Sequence, residues 1–340
     1  MLDSDTGIGV PGFSALEQVP ACPYCGETAH RRTASAVEDW FFGNVQGGFN
    51  FERCDACESL WVSARLGPND LPKAYEFYYT HTPAQQVEPP DVGLKARLRS
   101  CYVRSRYGGR SDLMTQLGAA VYRRLAPGLV HVDDEHRFAP PPPARLLDYG
   151  CGGGAFLRKM QRLGYAATGV DFDPVTLGPL RAEGIAAFST EEIHKREWEA
   201  RFDCVTLCHV IEHVADPVGL ISDLAKLLRP GGVLYCEAPN AHATGLDVFD
   251  RYWRGLEAPR HLTIPSRDGL LHALAAAGLV AERWVHRDWV RSLTWPLSLG
   301  AVPPSETADY ERRVLGAAEE TIESAEYLIV VARKPLHPRR

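Results

Sequence analysis

The most constraining feature of this chain is the run Arg145-Leu-Leu-Asp-Tyr-Gly150-Cys-Gly-Gly-Gly154. A short apolar strand there runs into Asp148-x-Gly150-x-Gly152-x-Gly154, and a helix over 154–164 follows, with Phe156, Leu157, Met160 and Leu163 on one face. Glycines are needed where a chain turns tightly and where backbone closes on a ligand. The free N–H groups at the start of the helix can bind a carboxylate. Asp171 lies twenty-three residues beyond Asp148, at the end of the next strand. A carboxylate there can accept both hydroxyls of a ribose. A dinucleotide loop would read Gly-x-Gly-x-x-Gly, whereas this one carries an acid at its head.

Strands and helices alternate from there to the C-terminus. Strands are expected at 145–149, 167–172, 185–188, 202–208, 233–238, 279–286 and 325–332. Helices are expected at 174–183 and 266–277. Another is opened by Asp216 and Pro217 and closed by Arg229-Pro-Gly-Gly232. This order predicts an α/β, Rossmann-like, seven-stranded and mostly parallel sheet with helices on both faces. Residues 287–324, with Trp289, Trp295 and a Glu-rich helix at 308–324, read as an insertion before the last strand that caps an acceptor pocket.

Upstream, three further stretches are expected: a flexible lead-in over 1–20, a small module over 21–66 and a helical basic connector over 67–143, with the sheet domain filling 144–340. The module holds two Cys-x-x-Cys pairs, Cys22/Cys25 and Cys54/Cys57, among aromatic and β-favouring residues, with Gly47-Gly48 as a hairpin tip. Two such knuckles make a tetrahedral four-thiolate site for structural zinc, or for iron with the same ligands, in a zinc-ribbon-like fold. Saturated by four thiolates, it leaves no open position for chemistry. Cys204, Cys208 and Cys236 sit in apolar runs and read as small buried hydrophobes.

In the connector, 68–79 reads as a helix and 85–90 as a loop. Residues 91–130 carry eight Arg/Lys against two Asp. That surface is either a solvated helix face or a contact for an anionic partner such as a membrane surface. Pro140 to Pro143 mark the boundary with the sheet domain. The net charge of −6, and a module with four Arg/Lys against six Asp/Glu, argue against nucleic acid as a partner. The N-terminal residues do not read as a signal peptide, and the apolar runs at 273–281 and 292–305 are too short or too broken to span a bilayer, so the reading is cytoplasmic.

The run LLDYGCGGGAFLRKMQRLGYAATGVDFDP resembles motif I and its successor in the class I S-adenosylmethionine (SAM)-dependent methyltransferases. FDCVTLCHVIEHVADP (202–217) resembles the strand-four motif of their ubiquinone/menaquinone and small-molecule branch, and LLRPGGVLYCEAPN (227–240) the strand-five motif. The resemblance spans about 144–290. It implies a sheet order 3-2-1-4-5-7-6 with the last strand antiparallel. It also implies that Asp148, Gly150, Cys151 and Gly152 line the methionine moiety of SAM, that Asp171 binds the ribose with Phe172 beside the adenine, and that His209 lies near the sulfonium. Zinc-bearing N-terminal modules precede similar domains in sugar C-methyltransferases and in an rRNA guanine methyltransferase group. The LeuTrpVal tail and the AYEFYYTH segment look more like bacterial polysaccharide or secondary-metabolite methyltransferases.

Methyl transfer is an in-line displacement that needs alignment, plus a base when the acceptor is a hydroxyl or carbon acid. The candidates are His261 first, then His213, with Arg260 beside His261 in the 253–262 loop. Sugar C-methyltransferases carry His-Glu-His in a comparable loop; here only Arg260-His261 remains, with Glu257 displaced. Three readings follow: a methyltransferase acting on a small-molecule or sugar-like acceptor, an RNA methyltransferase, and a non-catalytic SAM-binding scaffold.

Overall fold

A computed structural model of the chain describes residues 16–75, 93–107, 111–126, 137–194 and 198–337. The lead-in up to residue 15, the loop expected at 85–90 and most of the AYEFYYTH segment lie outside these residues.

The N-terminal part is a set of short antiparallel strands: β1 (Glu17–Gln18), β2 (His30–Val37), β3 (Phe49–Cys54), β4 (Leu60–Val62) and β5 (Ala64–Arg65). β2 pairs with β3 and β3 with β4, while β1 pairs with β5. The β2–β3 connection runs from residue 38 to 48, so Gly47-Gly48 ends a long loop beside β3 and is not a hairpin tip. Gly48 is needed for close approach, since a Cβ there would come 2.8 Å from Ala36 Cα. The helix expected from residue 68 is a single 3-10 turn, Leu71–Tyr75, within the described residues. Pro72 lacks the N–H that a longer helix would use. Two helices follow, α1 (Leu94–Tyr107) and α2 (Leu113–Leu125), packed through Tyr102 and Tyr122, whose ring centroids are 5.6 Å apart.

The second part alternates as expected: β6 (Arg145–Tyr149), α3 (Ala155–Arg162), β7 (Ala166–Asp171), α4 (Pro174–Ala182), β8 (Ala186–Ser189), α5 (Thr190–His194), β9 (Phe202–Cys208), α6 (Pro217–Leu227) and β10 (Leu228–Pro239). α7 (Thr244–Phe249), β11 (Thr263–Ile264), α8 (Arg267–Ala276), β12 (Val280–Val285), α9 (Val290–Ala301), α10 (Thr307–Leu315) and β13 (Tyr327–Arg333) complete it. The seven-stranded sheet has the order β8-β7-β6-β9-β10-β13-β12, the arrangement 3-2-1-4-5-7-6. The pairs from β8 to β10 are parallel, and β13 is antiparallel to both neighbours.

Alternation along the strands fills both faces. Leu146 and Cys204 point to the side of Leu157, Met160, Leu177 and Leu180 from α3 and α4. Leu147 and Val205 point to the side of Ile221, Leu224, Leu270 and Leu274 from α6 and α8. All twelve are 0–1% exposed. Each Leu, Ile, Val or Met burial of this kind is worth about 1.5–3 kcal/mol. α6 starts as its sequence implies, with Asp216 accepting from Gly219 N and Pro217 in the first turn.

Two further features depart from the expectation. β11 pairs with β4, Thr263 opposite Trp61 and Ile264 opposite Leu60, so the cysteine-bearing sheet is completed by a strand from between β10 and α8. The helix expected at 308–324 is confined to α10, whose C-cap is Gly316, and the Glu-rich residues beyond it are not helical. One of them, Glu320, accepts from Glu326 N. Glu326 in turn is buried and accepts from Trp253 Nε1 (2.8 Å) and Trp295 Nε1 (2.9 Å), which ties the insertion to the rest of the fold.

Candidate active site

The glycine loop closes on the end of β7. Gly150 N and Cys151 N donate to Val170 O at 2.7 and 3.0 Å, and Gly152 N donates to Asp171 Oδ2 at 2.7 Å. Gly150, Gly152 and Gly154 all have positive φ. A Cβ on Gly150 would lie 2.2 Å from Val210 Cγ2, whereas one on Gly152 would meet nothing within 4 Å. The loop is therefore packed on one side and open on the other. Asp171 also accepts from Asp173 N at 3.0 Å, so its carboxylate is held rigidly. Phe172 beside it is 55% exposed, an aromatic face presented at a strand end.

Asp148, at the head of the loop, is 1% exposed and accepts from Thr206 Oγ1 at 2.6 Å and from Arg137 Nη1. Arg137 also lies 3.8 Å from the Phe156 ring centroid. Nothing local in the sequence marks Arg137, because its partners come from β6, β9 and α3. An open glycine cradle, a fixed carboxylate and an exposed ring suit an adenosine-bearing cofactor. Asp148 and Arg137 form a buried ion pair at the head of the loop.

Beyond β9 lies a second group. His209 has φ +53 and donates its backbone N–H to Glu237 O at 2.8 Å. Its Nδ1 is 3.2 Å from Glu212 Oε1, and its Nε2 is 3.6 Å from Glu237 Oε1. Burial opposes a charge on this imidazole, but the two carboxylates outweigh it and raise His209 to about 9. Glu237 is likewise pushed up by burial, yet His209 and Arg287 hold it down at about 2. Arg287 reaches both Glu237 oxygens, at 3.0 and 3.1 Å, and Tyr235 OH also donates to Glu237. Cys208 is half-buried here, with a ligand atom within 4.8 Å of those of His209 and Glu237, and is not part of the apolar core; Cys204 and Cys236 are fully buried.

His213 and His261 meet edge to face, with ring centroids 4.7 Å apart. His213 Nδ1 lies 2.9 Å from Tyr75 OH and 3.1 Å from Arg260 O, and His261 Nδ1 lies 2.7 Å from Gly255 O. Burial lowers the basicity of both, His261 most strongly, so both are neutral near pH 7. The Tyr75 ring also packs edge-on against Phe172 at 5.6 Å, joining the cofactor side to the histidine pair. Arg260 sits next to His261 in the chain but points elsewhere. It is 0% exposed, and its guanidinium is bonded to Asp39, Glu257 and Ala74 O. It holds the loop against the cysteine-bearing sheet, and no acceptor can reach it.

The four cysteines of the N-terminal knuckles form one cluster. Cys22 Sγ lies 3.5 Å from Cys57 Sγ, Cys25 Sγ lies 3.5 Å from Cys54 Sγ, and all four sulfurs fall within 4.8 Å of one another. Gly26 and Glu58, which follow the knuckles, both have positive φ, and Cys57 N points at Cys54 Sγ. The hydrogen bond from Cys22 lowers Cys57 to about 5. An all-sulfur set of this span can hold a metal ion.

A family model described as a methyltransferase domain matches residues 122–283. The ubiquinone biosynthesis O-methyltransferase of Xanthomonas oryzae pv. oryzae (strain PXO99A) is 31% identical over 173 residues, covering 44% of this chain and 72% of that protein. The enzyme of the same name from Xanthomonas campestris pv. campestris (strain B100) is 30% identical over 175 residues, covering 45% and 73%. A SAM-dependent methyltransferase structure from Mesorhizobium loti aligns with a TM-score of 0.40 at 19% identity, over 58% of this chain and 94% of that one.

Proposed function

The chain belongs to the SAM-dependent methyltransferases, and on that premise we propose that it methylates an oxygen or carbon atom of a small-molecule or sugar-like acceptor held beside His261 and His213. The observation that carries this reading is the neutral, carbonyl-anchored histidine pair at the carboxyl ends of the strands, joined by Tyr75 to the cofactor side. SAM, when bound, supplies the electrophilic methyl group. The chain's own residues do the rest. The open face at Gly152 receives the methionine end beside Asp148 and Arg137, and the carboxylate of Asp171 seats the ribose.

His209, cationic between Glu212 and Glu237, does not accept a proton at neutral pH. His261 is neutral and carries its lone pair on Nε2, so it takes the proton an acceptor hydroxyl loses. Burial lowers its basicity, which keeps it unprotonated at neutral pH. Arg260, through Asp39 and Glu257, is a positioning residue for this loop.

We assign zinc to the four-cysteine cluster as a structural ion and place the enzyme in the cytoplasm, where thiolates stay reduced. The basic α1–α2 pair is assigned to an anionic surface. Among the described residues no helix is long and apolar enough to cross a membrane.

The test is incubation with methyl-labelled SAM and fractionated extract. Label is expected in small metabolites or glycans; label in RNA, or in no fraction, overturns the reading. His261→Ala should lower turnover by ~10²–10⁴-fold while SAM affinity measured by calorimetry stays near wild type; unchanged turnover removes His261 from the mechanism.

A further inference from the structure

We infer that Glu212, His213 and His261 form a binding site for one divalent transition-metal ion, distinct from the four-cysteine cluster. Three observations carry it. First, one ligand atom from each of the three side chains lies within 4.8 Å of the other two. Metal–ligand bonds of ~2.0–2.2 Å close that span with small side-chain rotations. Second, His261 is held in one tautomer: its Nδ1 lies 2.7 Å from the Gly255 carbonyl, which can only accept, so its lone pair is on Nε2. His213 Nδ1 is shared between the Tyr75 hydroxyl at 2.9 Å and the Arg260 carbonyl at 3.1 Å, and the carbonyl favours the same tautomer there. A metal-binding histidine is oriented in the same way by a carbonyl behind its other nitrogen. Third, Glu212 is 0% exposed, and its Oε2 has no hydrogen-bond partner among the described residues. Its Oε1 is engaged by His209. A buried carboxylate oxygen without a donor is costly, and a cation satisfies it.

The donor set selects the class of ion. Two neutral imidazoles and one carboxylate favour Mn²⁺, Fe²⁺ or Zn²⁺ over Mg²⁺, which prefers oxygen and retains its water. Three protein ligands leave positions open for an acceptor oxygen, and because an ion held here would occupy the Nε2 lone pair of His261, polarisation of that oxygen by the ion would replace proton uptake by His261.

Mn²⁺ separates this site from the four thiolates, which bind it poorly. The zinc-loaded full-length chain is titrated with Mn²⁺ and followed by electron paramagnetic resonance. One equivalent should bind, with spin-echo modulation from coordinated imidazole nitrogen, and Mg²⁺ should displace it only in large excess. His261→Ala and Glu212→Gln should each weaken Mn²⁺ binding by ~10–100-fold or more, with retained SAM binding reporting that the fold is intact. Absence of Mn²⁺ uptake, a bound ion without nitrogen modulation, or affinity unchanged in both variants would overturn the site. A chain that loses turnover on His261→Ala yet takes up no Mn²⁺ keeps the proton-acceptor reading and loses this one.

Discussion

Gly150 and Gly152 sit two residues apart in the same loop and answer to different constraints. Gly150 has φ +80 and Val210 Cγ2 where a Cβ would be; Gly152 has φ +48 and open space. Gly150→Ala should destabilise the chain by ~1–3 kcal/mol in chemical denaturation and weaken SAM binding as well. Gly152→Ala should cost only the backbone strain, ~1 kcal/mol, and act mainly on cofactor affinity. Equal unfolding midpoints for both variants would contradict this difference.

His209 makes a second prediction at this scale. Its folded value of about 9 lies above the ordinary 6.5, so its contribution to stability is fully present below pH 6.5 and is lost as pH rises through 9. His209→Gln should flatten stability across that window, read from urea unfolding at pH 6 and pH 9.5. The acids at 148 and 171 and the glycines between them were legible because the pattern they belong to, strand, glycine loop, helix and next strand end, is written in one continuous stretch of chain. Arg137, Glu237 and Arg287 were not, since Arg287 reaches Glu237 across 50 positions. Tyr75 lies 138 positions from His213, and no local pattern announces a contact at that separation.

Elements show the same division. The strands and helices expected between β6 and β10 follow their hydrophobic periods and caps, but α5 was not expected, and Arg229 to Gly232, expected to close α6, lie inside β10, which starts at Leu228. The 3-10 turn at Leu71–Tyr75 and the early end of α10 departed because Pro72 and Gly316 outweighed the surrounding pattern. β11 has only two residues and no strand signature; it exists because β4 offers an edge to pair with. The cysteine-bearing sheet therefore supports the loop that carries His261. Ser59 reinforces the junction, its Oγ receiving Ser266 N at 3.1 Å at the start of α8. Removing the metal with a strong chelator should release amide protection in residues 22–62 and 253–266 together, in hydrogen exchange. Loss confined to 22–62 would show that the loop stands by itself.

For the whole molecule, the face of α2 that points away from α1 carries exposed Leu113, Met114, Leu117, Val121 and Leu125, with Arg123 and Arg124 in its last turn. An apolar row beside arginines suits an anionic bilayer surface. The chain should co-sediment with phosphatidylglycerol vesicles and not with phosphatidylcholine vesicles, and Leu117→Glu should reduce the bound fraction several-fold. Binding that ignores headgroup charge would rule out the assignment of this face.

The pairing of β11 with β4 also sets an order of events during synthesis. Leu60 to Val62 leave the ribosome about two hundred residues before Thr263 and Ile264 do. At ~5–20 residues per second, that edge waits for ten seconds or more with its backbone groups unpaired and the apolar Leu60 and Val62 beside them. An open strand edge of this kind attracts other nascent chains. Ion capture by the cysteine knuckles can order the first half of the module at once, but its sheet is finished only when the second half of the chain arrives.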